Sequence, residues 1–223
     1  MVAFSCEEGV RDAVLNAHKG DYLLISYGLV VTIGNNPDNE FYDFKNRYFR
    51  EKYGVQFESG GCVSTQYDEC FKNKTKELLA IRYGDSILEK AKQEAIDGFI
   101  KTEIYKKEYK KRVESDSIFS TYRVHEYPKF KGGVKALEDY LGASTNPYQF
   151  EWGTEYFITY FVIEKDGKVS NVRIKRPEKG QMITQEVRDK ILYLFDKMPN
   201  WKPAVYFNQN VRTSESISVV FEP

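Results

Sequence analysis

Few side chains in this sequence combine a type and a spacing that could do chemistry. There are two histidines, His18 and His125, and they lie in opposite halves of the chain. The three cysteines are Cys6, Cys62 and Cys70. A nucleophilic thiol needs a base beside it. His18 would have to serve Cys62 or Cys70, and no local motif brings them together. The cysteine spacing matches no zinc or redox pattern. No His, Cys or carboxylate cluster has metal-ligand spacing, so neither metal nor cofactor is expected. The thiols have two readings: a Cys62–Cys70 disulfide in an oxidising compartment, or three free thiols. Gly60-Gly61-Cys62 reads as a tight turn. Gly132-Gly133 precedes a helix, where anions can bind. The further glycines and the Lys-Ser/Thr of a phosphate loop are missing, so a packing role is expected there.

Composition narrows the partner. Lys plus Arg number 33 and Asp plus Glu number 33, giving zero formal net charge. A nucleic-acid binder usually carries a basic excess, so none is expected as partner. The 17 Tyr and 15 Phe are mostly core material, with some suited to protein contact. The charged run from Lys101 to Arg112 carries Tyr105 and Tyr109 one turn apart. Glu103 and Glu108 dilute it, and it reads as a solvated helix end. No apolar run approaches the roughly 20 residues of a membrane span. Met1 to Cys6 has no basic start, so it is not an intact secretion signal. Ala3-Phe4-Ser5-Cys6 is similar to the tail of a lipoprotein signal, as a chain beginning after a removed leader would be.

The elements follow from periodicity. Val10, Ala13, Val14 and Ala17 make one helix face. Tyr22 to Ile33 reads as one or two strands breaking near Gly28, ending at the turn Gly34-Asn35-Asn36-Pro37-Asp38. Asp38 or Asn39 caps a helix carrying Phe41, Phe44, Tyr48 and Phe49, which Gly54 stops. Val55 to Phe57 is a short strand. A helix starts near Asp68, breaks at Gly84-Asp85, and resumes with Ile87, Leu88, Ala91, Ala95 and Phe99. Residues 113–127 lose periodicity, and 113–125 read as a linker. It separates a mixed, mainly helical α+β domain over 1–112 from a second domain over 126–223.

In that second domain Val134, Leu137 and Leu141 predict a helix ended by Gly142, before a loop through Asn146-Pro147. Tyr156 to Glu164 is a strand. Lys165-Asp166-Gly167-Lys168 predicts a type I′ hairpin turn, and Val169 to Arg176 is the return strand, stopped by Pro177. Thr184 caps a helix carrying Val187, Ile191, Leu194, Phe195 and Met198. The last strand carries Ile217, Val219 and Phe221. The helix-strand-strand-helix-strand order predicts a small antiparallel sheet with two helices on one face, an α+β fold.

Four ordered segments over residues 126–222 resemble the TonB C-terminal domain. They are Tyr127-Pro128-Lys129-Phe130-Lys131-Gly132-Gly133, the hairpin from Tyr160 to Val172, Met198-Pro199-Asn200-Trp201-Lys202-Pro203-Ala204, and the strand from Val211 to Phe221. Pro128, Gly132, Gly133, Asp166, Gly167, Trp201 and Pro203 are the structural marks of this resemblance. It implies a non-catalytic protein- or peptide-binding module of an envelope transport or signalling system. Its partner, such as an outer-membrane receptor segment, would add a strand to a sheet edge. The expected edge is the last strand, at Arg212, Thr213, Ser214, Glu215, Ser216 and Ser218, where self-pairing into a homodimer is a related outcome. The resemblance points to the periplasmic side; a native start at Met1 would permit the cytoplasm. A complete transducer also has a membrane helix and a proline-rich spacer, and with seven prolines and no Pro-rich run the chain shows neither. Two other readings remain: an adaptor whose residues 1–112 bind the partner, and an enzyme whose pocket gathers Cys62, Cys70 or His18 with carboxylates.

Overall fold

The structure is a computed structural model and describes residues 5–27, 38–141, 156–175 and 184–220. The expected strand beyond Tyr27, the turn before Asp38, the Gly142 stop, the Asn146-Pro147 loop, Pro177 and Phe221 lie outside the described residues. The chain is α+β and divides into two compact units, Met1–Lys106 and Lys107–Pro223.

The first unit runs α1 (Cys6–His18), β1 (Tyr22–Ser26), α2 (Asn39–Tyr53), β2 (Val55–Ser59), α3 (Gln66–Tyr83) and α4 (Ile87–Phe99). Local chemistry sets the ends. Ser5 with Glu8 and Thr65 with Asp68 form reciprocal capping boxes at α1 and α3. Gly54 closes α2 at φ 68°, the left-handed conformation glycine adopts without strain. β1 and β2 pair in parallel, from Tyr22 opposite Val55 to Ser26 opposite Ser59. Tyr22, Leu24 and Val55 meet Phe49, Leu79, Ile87 and Ala95 in one core. The Glu94 carboxylate ties α4 to α2, accepting from the Tyr53 hydroxyl at 2.5 Å and from Lys52 at 3.0 Å. The Tyr53 bond first, and then Lys52, holds its pKa down at about 2.

Cys70 is bonded to Cys6, across 64 residues of sequence, and Cys62 is free and exposed. This corrects both readings of the thiols. The reason is the close approach of α1 to α3: a Cβ on Gly9 would come 2.5 Å from the Tyr67 carbonyl oxygen, and a helix pair this near sets Cys6 beside Cys70. A thiol assay on unfolded chain should therefore find one reactive cysteine before reduction and three after it. Replacing Cys6 and Cys70 by serine should cost about 2–4 kcal/mol of stability, measured by denaturant titration.

The charged run is not a solvated helix end. After α4 the chain makes a π-helical turn over Tyr105–Tyr109, and both tyrosines are buried while Lys106, Lys107 and Lys110 stay exposed. The second unit then runs α5 (Lys110–Glu114), β3 (Ile118–Ser120), α6 (Gly133–Leu141), β4 (Tyr156–Ile163), β5 (Val169–Lys175), α7 (Gln185–Asp196), β6 (Ala204–Tyr206) and β7 (Gln209–Val220). The expected helix-strand-strand-helix-strand order is there as α6, β4, β5, α7 and β7. The sheet order is β3-β7-β4-β5, with β6 pairing the start of β7. Because β3 runs parallel to β7, the sheet is mixed rather than wholly antiparallel. Residues 113–125 are no linker: Val113 and Phe119 are buried, and β3 is built into the sheet.

Leu137 and Leu141 of α6 and Ile191 and Phe195 of α7 cover one sheet face, against Phe161, Ile163 and Ile217. The hairpin turn differs from the type I′ expectation. The Gly167 amide donates to the Glu164 carbonyl, and of the four turn residues only Gly167 has positive φ, 85°. That is a type I turn followed by a left-handed glycine. The Trp201 amide donates to the Gly167 carbonyl at 2.9 Å, and a Cβ on Gly167 would strike the Trp201 carbonyl oxygen. Gly167→Ala should thus lose clearly more than the roughly 1 kcal/mol of backbone strain alone. Gly133→Ala, at φ 80° in open space, should lose only that strain; paired thermal melts check the difference.

Candidate functional site

Backbone pairing decides what the last strand can offer. β7 pairs antiparallel with β4 from Thr213 opposite Ile163 to Val220 opposite Tyr156. On its other side, Arg212, Thr213 and Ser214 pair with Ile118, Phe119 and Ser120 of β3. The expected open edge is therefore closed at Arg212, Thr213 and Ser214. The Thr121 hydroxyl then donates to the Ser214 carbonyl and to the Glu215 carboxylate, at 2.9 and 2.8 Å. Beyond this point, among the described residues, Glu215 to Val220 have a strand on the β4 side only.

The six expected residues also do not share a face. Side chains alternate along a strand. Thr213 is fully buried, and its hydroxyl has no hydrogen-bond partner among the described residues. Glu215 lies on the same inward face, half-buried, and burial raises its carboxyl pKa. Arg212, Ser214 and Ser216 lie on the opposite face; Ser218 keeps their register, opposite Ile158. Arg212 is not free to meet a partner. Its Nε and Nη2 donate to the two Glu164 carboxylate oxygens at 2.7 and 2.9 Å, and its Nη1 donates to the Asp116 carbonyl at 2.8 Å. Ser170 also donates to Glu164. The Arg212 hydrogen bond is the main reason the Glu164 pKa is lowered. Lys165 donates to the Ser115 carbonyl at 2.9 Å, so charged hydrogen bonds fix residues 115 and 116 to the hairpin.

The sheet face away from α6 and α7 carries a groove of about 520 Å³, within the range of about 300–1,000 Å³ typical of ligand sites. Buried Val162 belongs to its lining, with Ile118 and Tyr160, 47% and 41% exposed, as its apolar walls. Arg173, opposite Tyr160 in the β4–β5 register, and Lys175, opposite Ile158, line its far side with Asn171. Asn171, at φ 50°, marks the irregularity where β5 shifts register against β4.

The residues marked by the family resemblance gather around Trp201. Its ring lies 5.4 Å from Phe130 and 5.9 Å from Phe161, and Gly167 sits against its backbone. Lys129 and Lys202 exchange backbone hydrogen bonds, bringing the buried Pro128 segment alongside the Pro203 segment. Gly132 and Gly133 both have positive φ just where α6 begins, and Asp166 accepts from the Lys168 amide within the hairpin turn. These are fold-forming roles. The cysteine–histidine pairing is not assembled through Cys70, whose sulfur is bonded to Cys6. His18 is exposed at the end of α1, and His125 packs on Tyr206 and Phe207 with ring centroids 4.9 and 4.6 Å apart. Among the described residues no group of His, Cys, Asp or Glu could hold a metal ion. Sequence reasoning missed β3 and the groove. The alternation of Ile118, Phe119 and Ser120 was the available signal, in a strand of only three residues.

No family model, no curated protein and no solved structure matches this chain.

The Arg212–Glu164 pair gives a test by pH. A carboxyl held below its ordinary range stabilises the fold fully above that range and loses the effect as pH falls through its folded value. Arg212→Met should destabilise the chain by about 1–3 kcal/mol at neutral pH, the range for hydrogen bonds to a charged, partly exposed group. The difference from the unsubstituted chain should shrink on acidification below the ordinary carboxylate range, followed by urea titrations across pH.

Proposed function

We propose that this chain is a non-catalytic protein- or peptide-binding module whose C-terminal unit, TonB-like in its segments, docks an extended partner segment in an envelope transport or signalling system. The observation that carries the reading is the half-open state of β7: from Glu215 to Val220 it has β4 on one side and no described strand on the other. An edge of this kind presents backbone N–H and C=O groups that a partner strand can satisfy. The site differs from the first expectation by starting at Glu215, since Thr213 and Ser214 already have both neighbours and Arg212 is paired with β3. The convergence of the resembling segments around Trp201 supports a TonB-type unit.

The Cys6–Cys70 bond favours an oxidising compartment and so the periplasm or envelope. No described helix is long and apolar enough to cross a membrane. The partner we favour is a segment of an outer-membrane receptor; a second copy of the chain pairing along the same edge is the related alternative.

Strand addition can be read by amide NMR on the full chain titrated with an extended peptide of alternating threonine and valine. Shift changes should concentrate at Glu215 to Val220. A peptide that binds while leaving those amides unmoved would rule out docking at β7.

A further inference from the structure

We infer that the open face of the C-terminal sheet, across β7, β4 and β5, binds an acidic peptide carrying an apolar side chain. The apolar residue sits between Ile118 and Tyr160, and carboxylates two and four residues along the peptide, on the same face of it, meet Arg173 and Lys175. The inference rests on the reading of this unit as a peptide-binding module and supplies the chemistry of its partner.

Among the described residues Arg212, Lys165, Arg173 and Lys175 lie on or beside this face, and the fold uses only the first two of them. Arg212 is taken by Glu164 and the Asp116 carbonyl. Lys165 is taken by the Ser115 carbonyl, with the Asp116 carboxylate 3.5 Å away. Arg173 and Lys175 are exposed and have no ion pair or hydrogen-bond partner among the described residues. They are two positions apart on one strand, so both point from the same face, about 7 Å apart along it. Glu164, the carboxylate nearest on the hairpin, is committed to Arg212 and Ser170. Among the described residues the groove thus has an uncompensated positive side, although the whole chain is formally neutral.

Its other side is apolar. Ile118 and Tyr160 leave large surfaces in water, and tyrosine suits an interface because one end is apolar and the other takes hydrogen bonds. Ser214 and Asn171 add polar groups to the lining. The alternation of an extended ligand matches this layout: every second side chain faces the sheet, and two such neighbours span the Arg173–Lys175 interval. Charge complementarity therefore selects carboxylates over neutral or basic side chains. A nucleic acid would need a longer basic stripe than two side chains provide.

The test uses the full chain and three synthetic peptides of the pattern Gly-Leu-Ser-X-Ser-X-Gly, with X as glutamate, glutamine or lysine, which places the leucine and both X side chains on one face of an extended strand. Anisotropy titrations should give binding by the glutamate peptide, weaker binding by the glutamine peptide by about tenfold, and none by the lysine peptide. Added salt should weaken the glutamate peptide most. Arg173→Glu with Lys175→Glu should cost about tenfold or more in affinity, and Tyr160→Ala about fivefold. Arg173→Gln with Lys175→Gln serves as the milder pair if charge reversal perturbs folding. Equal binding of the glutamate and glutamine peptides, or indifference to both double variants, overturns the inference. So does tighter binding of an oligothymidylate than of the glutamate peptide. Amide shifts confined to Glu215–Val220 with no preference for acid would overturn it while leaving edge docking intact. Glutamate-peptide shifts at Tyr160, Arg173 and Lys175 with a silent β7 edge would support it and overturn edge docking instead.

Discussion

The second unit depends on the enclosure of β7. This strand has β4 along one side and β3 against Arg212, Thr213 and Ser214 on the other. The side-chain counterpart is the paired contact of Arg212 with Glu164 across the sheet, extended by its third bond to the Asp116 carbonyl. Planar guanidinium and carboxylate groups matched atom for atom fix direction as well as distance. One side chain thereby sets the hairpin, the central strand and the short parallel strand against each other. Once β7 is fixed, its inward residues Val211, Thr213 and Ile217 are buried, and Phe161 and Ile163 beside them complete a surface for α6 and α7.

The same enclosure determines what the surface can do. Covering the first half of β7 removes it as a docking edge and leaves the strand from Glu215 onward with one unpaired side among the described residues. It also leaves the sheet face opposite the helices open, with Tyr160 and Ile118 in water and two uncommitted cations on β5. A two-layer fold with helices on one face always exposes the other; here that face is grooved and electrically lopsided rather than uniformly polar. Charged β5 side chains also discourage indiscriminate pairing at that outer strand.

What was legible in the sequence was local. Val10, Ala13, Val14 and Ala17 marked the first helix; Gly54 marked the end of α2; Leu137 and Leu141 marked α6; the aromatic run before Asp166-Gly167 marked the hairpin. These signals act within a few residues, where periodicity and capping operate. Non-local partners were hidden. Cys70 meets Cys6, 64 residues away, because two helices approach at Gly9, and no spacing rule encodes that. β3 was invisible because three residues are too few for a period, and its strand character comes from pairing with β7. The error at the docking edge followed directly: with β3 unseen, all of the last strand read as free, and Arg212 read as a surface residue rather than a tie. Lys101 to Arg112 was misread for a related reason, since a π-helical turn rotates Tyr105 and Tyr109 inward while lysines dominate the composition.

The central claim is that β7 is enclosed on both sides at Thr213 and Ser214 and, among the described residues, on one side from Glu215 onward. Native-state amide hydrogen exchange, resolved residue by residue, measures this directly, because successive strand amides point to alternate sides. The account predicts slow exchange at the consecutive amides of Thr213 and Ser214, then slow exchange at alternate amides only from Glu215 to Val220. Strictly alternating protection beginning at Thr213 would show an open edge there and contradict it.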